Sequence, residues 1–331
     1  MVQLRRMMVG FGVAAVVTAA VVTGAGAAQG LPLPPLGSLG DPVVPKAQLD
    51  KSFAAMSKSL AKTLPGRIGL AVTPVNGDVP VSFGTLKTAR AWSTLKVPVS
   101  IAAQRARGAA VAPAETRAIE LSDNDAAEAL WASLGGGRSS VDAVTAVLRE
   151  GHDTNTRVSS EIDVPRSYPG YTPWALRDQS VFAAHLPCLP GTADVLRHMN
   201  RVAPNQQWGV AKPKAKAVTS AVKGGWGPAS DATGKYVVRQ LAVVTTPAGR
   251  YGVSIAALPA SGSFGDGTAM VTRVGKWLLA NLDKLPAGRC APLAAPAAEA
   301  PVPASPEVPA PDTSTPTAPA PTVTAPAPER R

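Results

Sequence analysis

Apolar residues recur at helical spacing between Ala47 and Leu64, at Leu49, Phe53, Met56 and Leu60, and Pro65-Gly66 ends the run. That period predicts one amphipathic helix. Arg67 to Val75 is nearly continuously apolar and reads as a buried strand, with Asn76-Gly77-Asp78 as its turn and Val79 to Phe83 as the returning strand of a hairpin. An Ala-rich helical run then reaches about Ala106, where Gly108 ends it, and Pro98 falls early enough to be tolerated. Further helical pieces are expected at Ala114 to Glu120, at Asp125 to Leu130 with Ser122 as a candidate N-cap, and at Val141 to Arg149. From Gly151 to Thr172 neither period holds, which marks a long functional loop. Helices follow over Trp174 to Leu186, with Pro173 in the first turn, and over Thr192 to Val202.

The last third changes period. Strands are expected at Trp208 to Ala211, Val218 to Val222, Tyr236 to Thr245 and Tyr251 to Leu258, with turns at Gly224-Gly225, Gly234 and Pro247-Ala248-Gly249. A closing helix runs from about Gly267 to Leu282. If the first hairpin pairs with the last strands, the result is an antiparallel sheet of about five strands beside a helical subdomain, an α/β fold of the segregated α+β kind.

The ends do not belong to that fold. Arg5 and Arg6 precede an apolar run from Met7 to Val22, and Ala25-Gly26-Ala27 follows, so residues 1–27 read as a removable secretion signal; a retained membrane anchor is the alternative. No cysteine stands at the cleavage site to take a lipid. Residues 28–45 look like a tether, residues 46–290 hold the folded domain, and residues 291–331, almost wholly Pro, Ala, Thr, Ser and Val, are expected to be a disordered tail. A secreted or envelope-associated protein favours a Cys188 to Cys290 bridge, with two free thiols as the alternative.

The chain has 331 residues, 45% of them hydrophobic, and a formal net charge of +11. Export and dispersed basic residues argue against nucleic acid as the partner; Lys212, Lys214 and Lys216 alternate like an exposed edge strand and leave a weak attraction to acidic envelope polymers open. His152, His185 and His198 are too scattered along the chain to form a ligand set, so neither metal nor cofactor is expected.

Three short motifs carry chemistry. Ser93 and Lys96 are three apart, which puts them on one helix face, with Cβ atoms about 5 to 6 Å apart. A desolvated lysine there can take the proton of the serine hydroxyl and make it a nucleophile, although a capping serine and a solvated lysine would read the same in isolation. Ser122-Asp123-Asn124 follows, and Lys223-Gly224-Gly225-Trp226 stands at the end of a strand. With these motifs in this order the chain resembles the class A β-lactamases and penicillin-binding proteins, whose marks are S-x-x-K, S-D-N and K-T-G. Asp125-Ala126-Ala127 after the second motif, and Thr156-Arg157 with Glu161 four residues on, extend the likeness.

The resemblance implies a β-lactamase or transpeptidase-like fold and an acyl-enzyme on Ser93, with Lys96 as its activating partner. It also implies Ser122 as a proton relay, Lys223 as a cation near a substrate carboxylate, Asn124 as the holder of a substrate amide, and an oxyanion hole near Trp226. Glu161 would be the base for release, and Arg239 a second cation or merely an exposed edge arginine. The substrate would be a β-lactam or a cell-envelope amide; the other reading is an impaired relative that binds peptidoglycan or a protein partner. Departures are visible too. Only 29 positions separate Ser93 from Ser122, which implies a reduced helical subdomain; Gly224 replaces a hydroxyl residue; and Glu161-Ile162-Asp163-Val164-Pro165 keeps only the glutamate of the omega-loop pattern.

Overall fold

The computed structural model describes residues 45–163 and 167–291. The secretion signal, residues 28–44 of the tether, Val164 and Pro165 of the loop, and the tail beyond residue 291 lie outside these residues. Five strands, β1 (Gly66–Pro74), β2 (Val81–Gly84), β5 (Thr219–Pro228), β6 (Tyr236–Thr246) and β7 (Gly249–Pro259), form one antiparallel sheet in the order β2-β1-β7-β6-β5. The first hairpin therefore does pair with the last strands, through Leu70 opposite Ile255 and Val72 opposite Val253. Both sheet faces are covered, which is why β6 and β7 read as continuous apolar runs rather than as alternating ones.

On one face α1 (Lys46–Ala61) and α8 (Phe264–Leu279) bury Leu49, Phe53, Met270, Val274 and Trp277 against Ile68, Leu70, Val253 and Ile255. Phe53 stacks on Phe83 at 5.3 Å between ring centroids and meets Trp277 edge-on at 4.9 Å. The other face carries the helical block: α2 (Lys96–Arg107), α3 (Ala112–Thr116), α4 (Asn124–Ser133), α5 (Gly137–Glu150), α6 (Leu176–His185) and α7 (Ala193–Met199). Its core joins Val97 and Ile101 of α2, Leu130 of α4 and Val144 and Leu148 of α5 to Leu241 and Val243 of the sheet.

Four expectations are corrected. Residues 173–175 are not helix but a strand, β4 (Pro173–Ala175), laddered to β3 (Thr88–Arg90), and helix α6 starts only at Leu176. Pro173 and the buried Trp174 fit that ladder, and Trp174 Nε1 donates to Asp153 Oδ2 at 2.7 Å. Trp208 to Ala211 is no strand but a 3-10 turn over Gly209–Ala211, because the Gln240 side-chain amide takes its strand-like hydrogen bonds: Val210 N donates to Gln240 Oε1 and Gln240 Nε2 donates to Trp208 O. Gly224-Gly225 is no turn but lies within β5. Lys212, Lys214 and Lys216 lie in the irregular segment before β5 and form no edge strand.

Cys188 and Cys290 form the expected disulfide, with Cα atoms 5.3 Å apart and a sequence separation of 102. Replacing Cys290 with alanine is expected to lower stability by about 2 to 4 kcal/mol, read as a shift in the urea midpoint under non-reducing conditions. An unchanged midpoint would show that the bridge adds nothing. Among the described residues no helix is long and apolar enough to cross a membrane.

Candidate active site

A 3-10 turn, Trp92–Leu95, precedes α2 and carries Ser93 at its second position. Trp92 holds φ at +48°, a left-handed conformation that costs a bulky L-residue about 1 to 2 kcal/mol. The surrounding packing enforces it. Ala91 N donates to Thr172 O at 2.8 Å, Thr94 Oγ1 donates to Ala91 O at 2.6 Å, and Gln179 Nε2 donates to Thr94 Oγ1 at 2.9 Å. From the sheet side, Gly225 abuts the turn: a Cβ there would lie 2.8 Å from Ala91 O and 3.1 Å from Ser93 N. Only glycine lets β5 come this close.

Lys96 is buried at the start of α2, and its ammonium has three acceptors: Ser122 O at 2.6 Å, Asp123 O at 3.0 Å and Asn124 Oδ1 at 2.8 Å. All three donors are thus occupied in the charged form. Desolvation nevertheless pulls the pKa of Lys96 down to about 8, against the opposing charges of Asp123 and Glu128. Roughly a tenth of the molecules then hold the neutral amine at pH 7.

Ser122 sits between two lysines. Its carbonyl accepts from Lys96, while its Oγ accepts from Lys223 Nζ at 2.8 Å. Lys223 is fully buried, so desolvation first and the Lys96 charge second push its pKa well below the usual lysine range. Ser122 itself has φ +59°, the second left-handed side-chain-bearing residue of the site. The expected N-cap role is corrected: Asp123 caps α4, accepting from Ala126 N at 2.9 Å, and Arg117 pairs with its other oxygen. Capping by Asp123 leaves the Ser122 hydroxyl free for Lys223.

These groups border a cavity of about 540 Å3 lined by Ser93, Lys96, Ser122, Asn124, Glu161 and Trp226, among others. Glu161 is exposed, in a turn at the cavity edge. Lys223, Gly224 and Gly225 do not reach the lining; Lys223 acts on it only through Ser122. Gly224 faces the opposite side of β5, where a Cβ would lie 2.5 Å from the Trp208 ring. The hydroxyl residue that the resemblance leads one to expect has no space at that position while Trp208 stays in place. Gly224→Thr is accordingly expected to cost about 1 to 3 kcal/mol through overpacking, measurable by chemical denaturation; a neutral substitution would show that Trp208 yields.

Arg239 is not placed as a substrate cation or as an exposed edge residue. It is fully buried in β6, donating from Nη1 to Ala89 O at 2.6 Å and to Trp174 O at 3.1 Å, and from Nη2 to Gln179 Oε1 at 2.8 Å. Gln179 passes this support on to Thr94, beneath the nucleophile turn. Gln179, Thr94, Trp92 and Tyr168 escape sequence reasoning, because nothing in their spacing marks them. Asn124, Ala127, Glu128 and Trp131 do share one face of α4 at helical spacing, and all four line the cavity.

No family model matches the chain, and no curated protein matches it in sequence. Solved structures do match. An ancestral class A β-lactamase is 19% identical, with a TM-score of 0.54 over 70% of this chain and 99% of its own. A β-lactamase from Xanthomonas campestris is 15% identical, with a TM-score of 0.55 over 70% of this chain and 97% of its own. A class A β-lactamase from Bacteroides cellulosilyticus is 13% identical, with a TM-score of 0.56 over 71% of this chain and 99% of its own. At these identities the likeness shows the architecture: residues 45–291 have the β-lactamase-like fold, a five-stranded antiparallel sheet with its helical block.

Proposed function

We propose that the chain is an exported serine hydrolase or acyltransferase that forms an acyl-enzyme on Ser93 with a β-lactam or a cell-envelope amide. One observation carries this reading: Ser122 is held between two buried lysine amines with depressed pKa values, at the edge of the cavity that Ser93 lines. Neutral Lys96 takes the Ser93 hydroxyl proton as Oγ bonds to the substrate carbonyl carbon. The carbonyl electron pair moves onto oxygen, beside the backbone N–H of Ser93 and that of Trp226. When the pair returns, the carbon–nitrogen bond breaks and the nitrogen takes a proton from Ser122, which recovers one from Lys96, so that the proton that left Ser93 ends on the nitrogen and Lys96 is neutral again, while Lys223 holds the Ser122 hydroxyl in place. The Asn124 oxygen is occupied by Lys96, so its NH2 is the end available to a substrate carbonyl.

Release is slow in this proposal. Water must be activated by Glu161, which stands in an exposed turn rather than in a built water site. The Gly224 and Trp208 packing supports the second reading, a relative that binds envelope peptide or a protein partner without turnover, since it removes a hydrogen-bond partner for a substrate carboxylate. Labelling with a fluorescent penicillin separates the two. The wild type is expected to give a stable fluorescent band that Ser93→Ala lacks, and a blank wild-type lane would favour the binder.

A further inference from the structure

Two of the three histidines, far apart in sequence, meet away from the cavity. His152 Nδ1 and His185 Nε2 each lie 2.8 Å from the same oxygen, Asp78 Oδ1, and their rings stack with centroids 3.7 Å apart. The three ligand-capable atoms lie within 4.8 Å of one another. Each comes from a different segment: Asp78 from the β1–β2 connection, His152 from just past the end of α5, and His185 from the last residue of α6. We propose that Asp78, His152 and His185 bind a divalent transition-metal ion such as Zn2+, with water completing its coordination. The expectation that the histidines are too scattered to meet is corrected for His152 and His185, not for His198.

The donor set fits the ion. Two imidazoles and one carboxylate suit zinc and its neighbours, whereas magnesium and calcium prefer oxygen alone. His185 is buried and fixed at the end of α6, whereas the other two groups are not. His152 and Asp78 are exposed and can adjust. Tetrahedral zinc needs ligand atoms about 3.3 Å apart, so each 2.8 Å contact opens by about half an ångström as the metal replaces the bridging hydrogens. The neighbouring guanidinium of Arg149 is committed to the carbonyls of Asp153 and Thr156, and an open cavity beside His152 admits water.

His152 occupies a telling position. It has φ +61° directly after α5, where its N–H bonds to Arg149 O and the next N–H to Leu148 O, the helix-ending pattern that favours glycine. A histidine there gives up backbone ease, and its ring reaches Asp78. Because the loop to Glu161 and Tyr168 departs from this residue, a bound metal would tie the loop's start to the sheet and to α6.

The test uses untagged protein stripped with EDTA. Titration with Zn2+ alone is expected to show one equivalent bound at micromolar affinity, with Co2+ giving a visible ligand-field band. Saturating Zn2+ at about a hundred times Kd should raise Tm by about 5 °C, and Mg2+ should not. His152→Ala, at an exposed position, should fold and weaken Zn2+ binding by roughly ten- to a hundredfold or more. His198→Ala should leave binding unchanged, because His198 pairs elsewhere, with Glu120. The proposal is overturned by no stoichiometric Zn2+ binding below millimolar concentration, by unchanged affinity in His152→Ala, or by loss of the site in His198→Ala instead.

Discussion

Replacing Lys96 with alanine is expected to slow acylation of Ser93 by about a hundred to ten thousand fold, the usual contribution of a positioned general base. The wild-type rate should climb about tenfold per pH unit through pH 6 and 7 and level off above about 8, where Lys96 has lost its proton. The alanine variant should lose that slope. A wild-type rate independent of pH between 6 and 8 would assign the proton to another acceptor. The same depressed pKa makes the unfolded chain bind more protons than the fold between pH 8 and 10.5, so this group's contribution to stability improves as pH rises through that window. Burying a lysine here therefore costs the fold at neutral pH.

The largest loss of stability is expected at Arg239. Arg239→Ala removes a donor from Ala89 O, Trp174 O and Gln179 Oε1, of which Gln179 Oε1 keeps Ser254, and empties a large buried volume. Lost hydrogen bonds at buried carbonyls and the resulting cavity together suggest about 3 to 5 kcal/mol. Chemical denaturation reads this directly. A change under about 1 kcal/mol would mean that water can replace the guanidinium and that the network beneath the Ser93 turn is not rigid. Ser254 also donates to Gln179, at 2.6 Å, so Ser254→Ala should repeat the effect in miniature.

Much of the fold was legible because burial leaves a period in the sequence. α1, the first hairpin, β6, β7 and α5 follow their apolar spacing to within a few residues. β4 and the turn at 209–211 were not legible, since their states depend on partners distant in sequence: the ladder to Thr88–Arg90 and the side chain of Gln240. Gly224 and Gly225 looked like a turn for a similar reason. Nothing local shows that Trp208 and the Ser93 turn press on that strand from opposite sides.

The site divides in the same way. Ser93, Lys96, Ser122 and Asn124 line one cavity, where Lys96 bonds both Ser122 O and Asn124 Oδ1. Arg239 was misjudged from position alone; a strand arginine looks identical in sequence whether it points at solvent or at buried carbonyls. The histidines failed the spacing test for the same reason. His152 and His185 are 33 positions apart, and the end of α5 and the end of α6 bring them into contact.

Intact-mass spectrometry over time after adding a penicillin tests the central claim most directly. One covalent adduct is expected on the wild type, formed at Ser93, persisting through many minutes of removal of free compound, absent in Ser93→Ala and strongly reduced in Lys96→Ala. An unmodified wild-type mass at saturating penicillin, or an adduct that survives in Ser93→Ala, would contradict it.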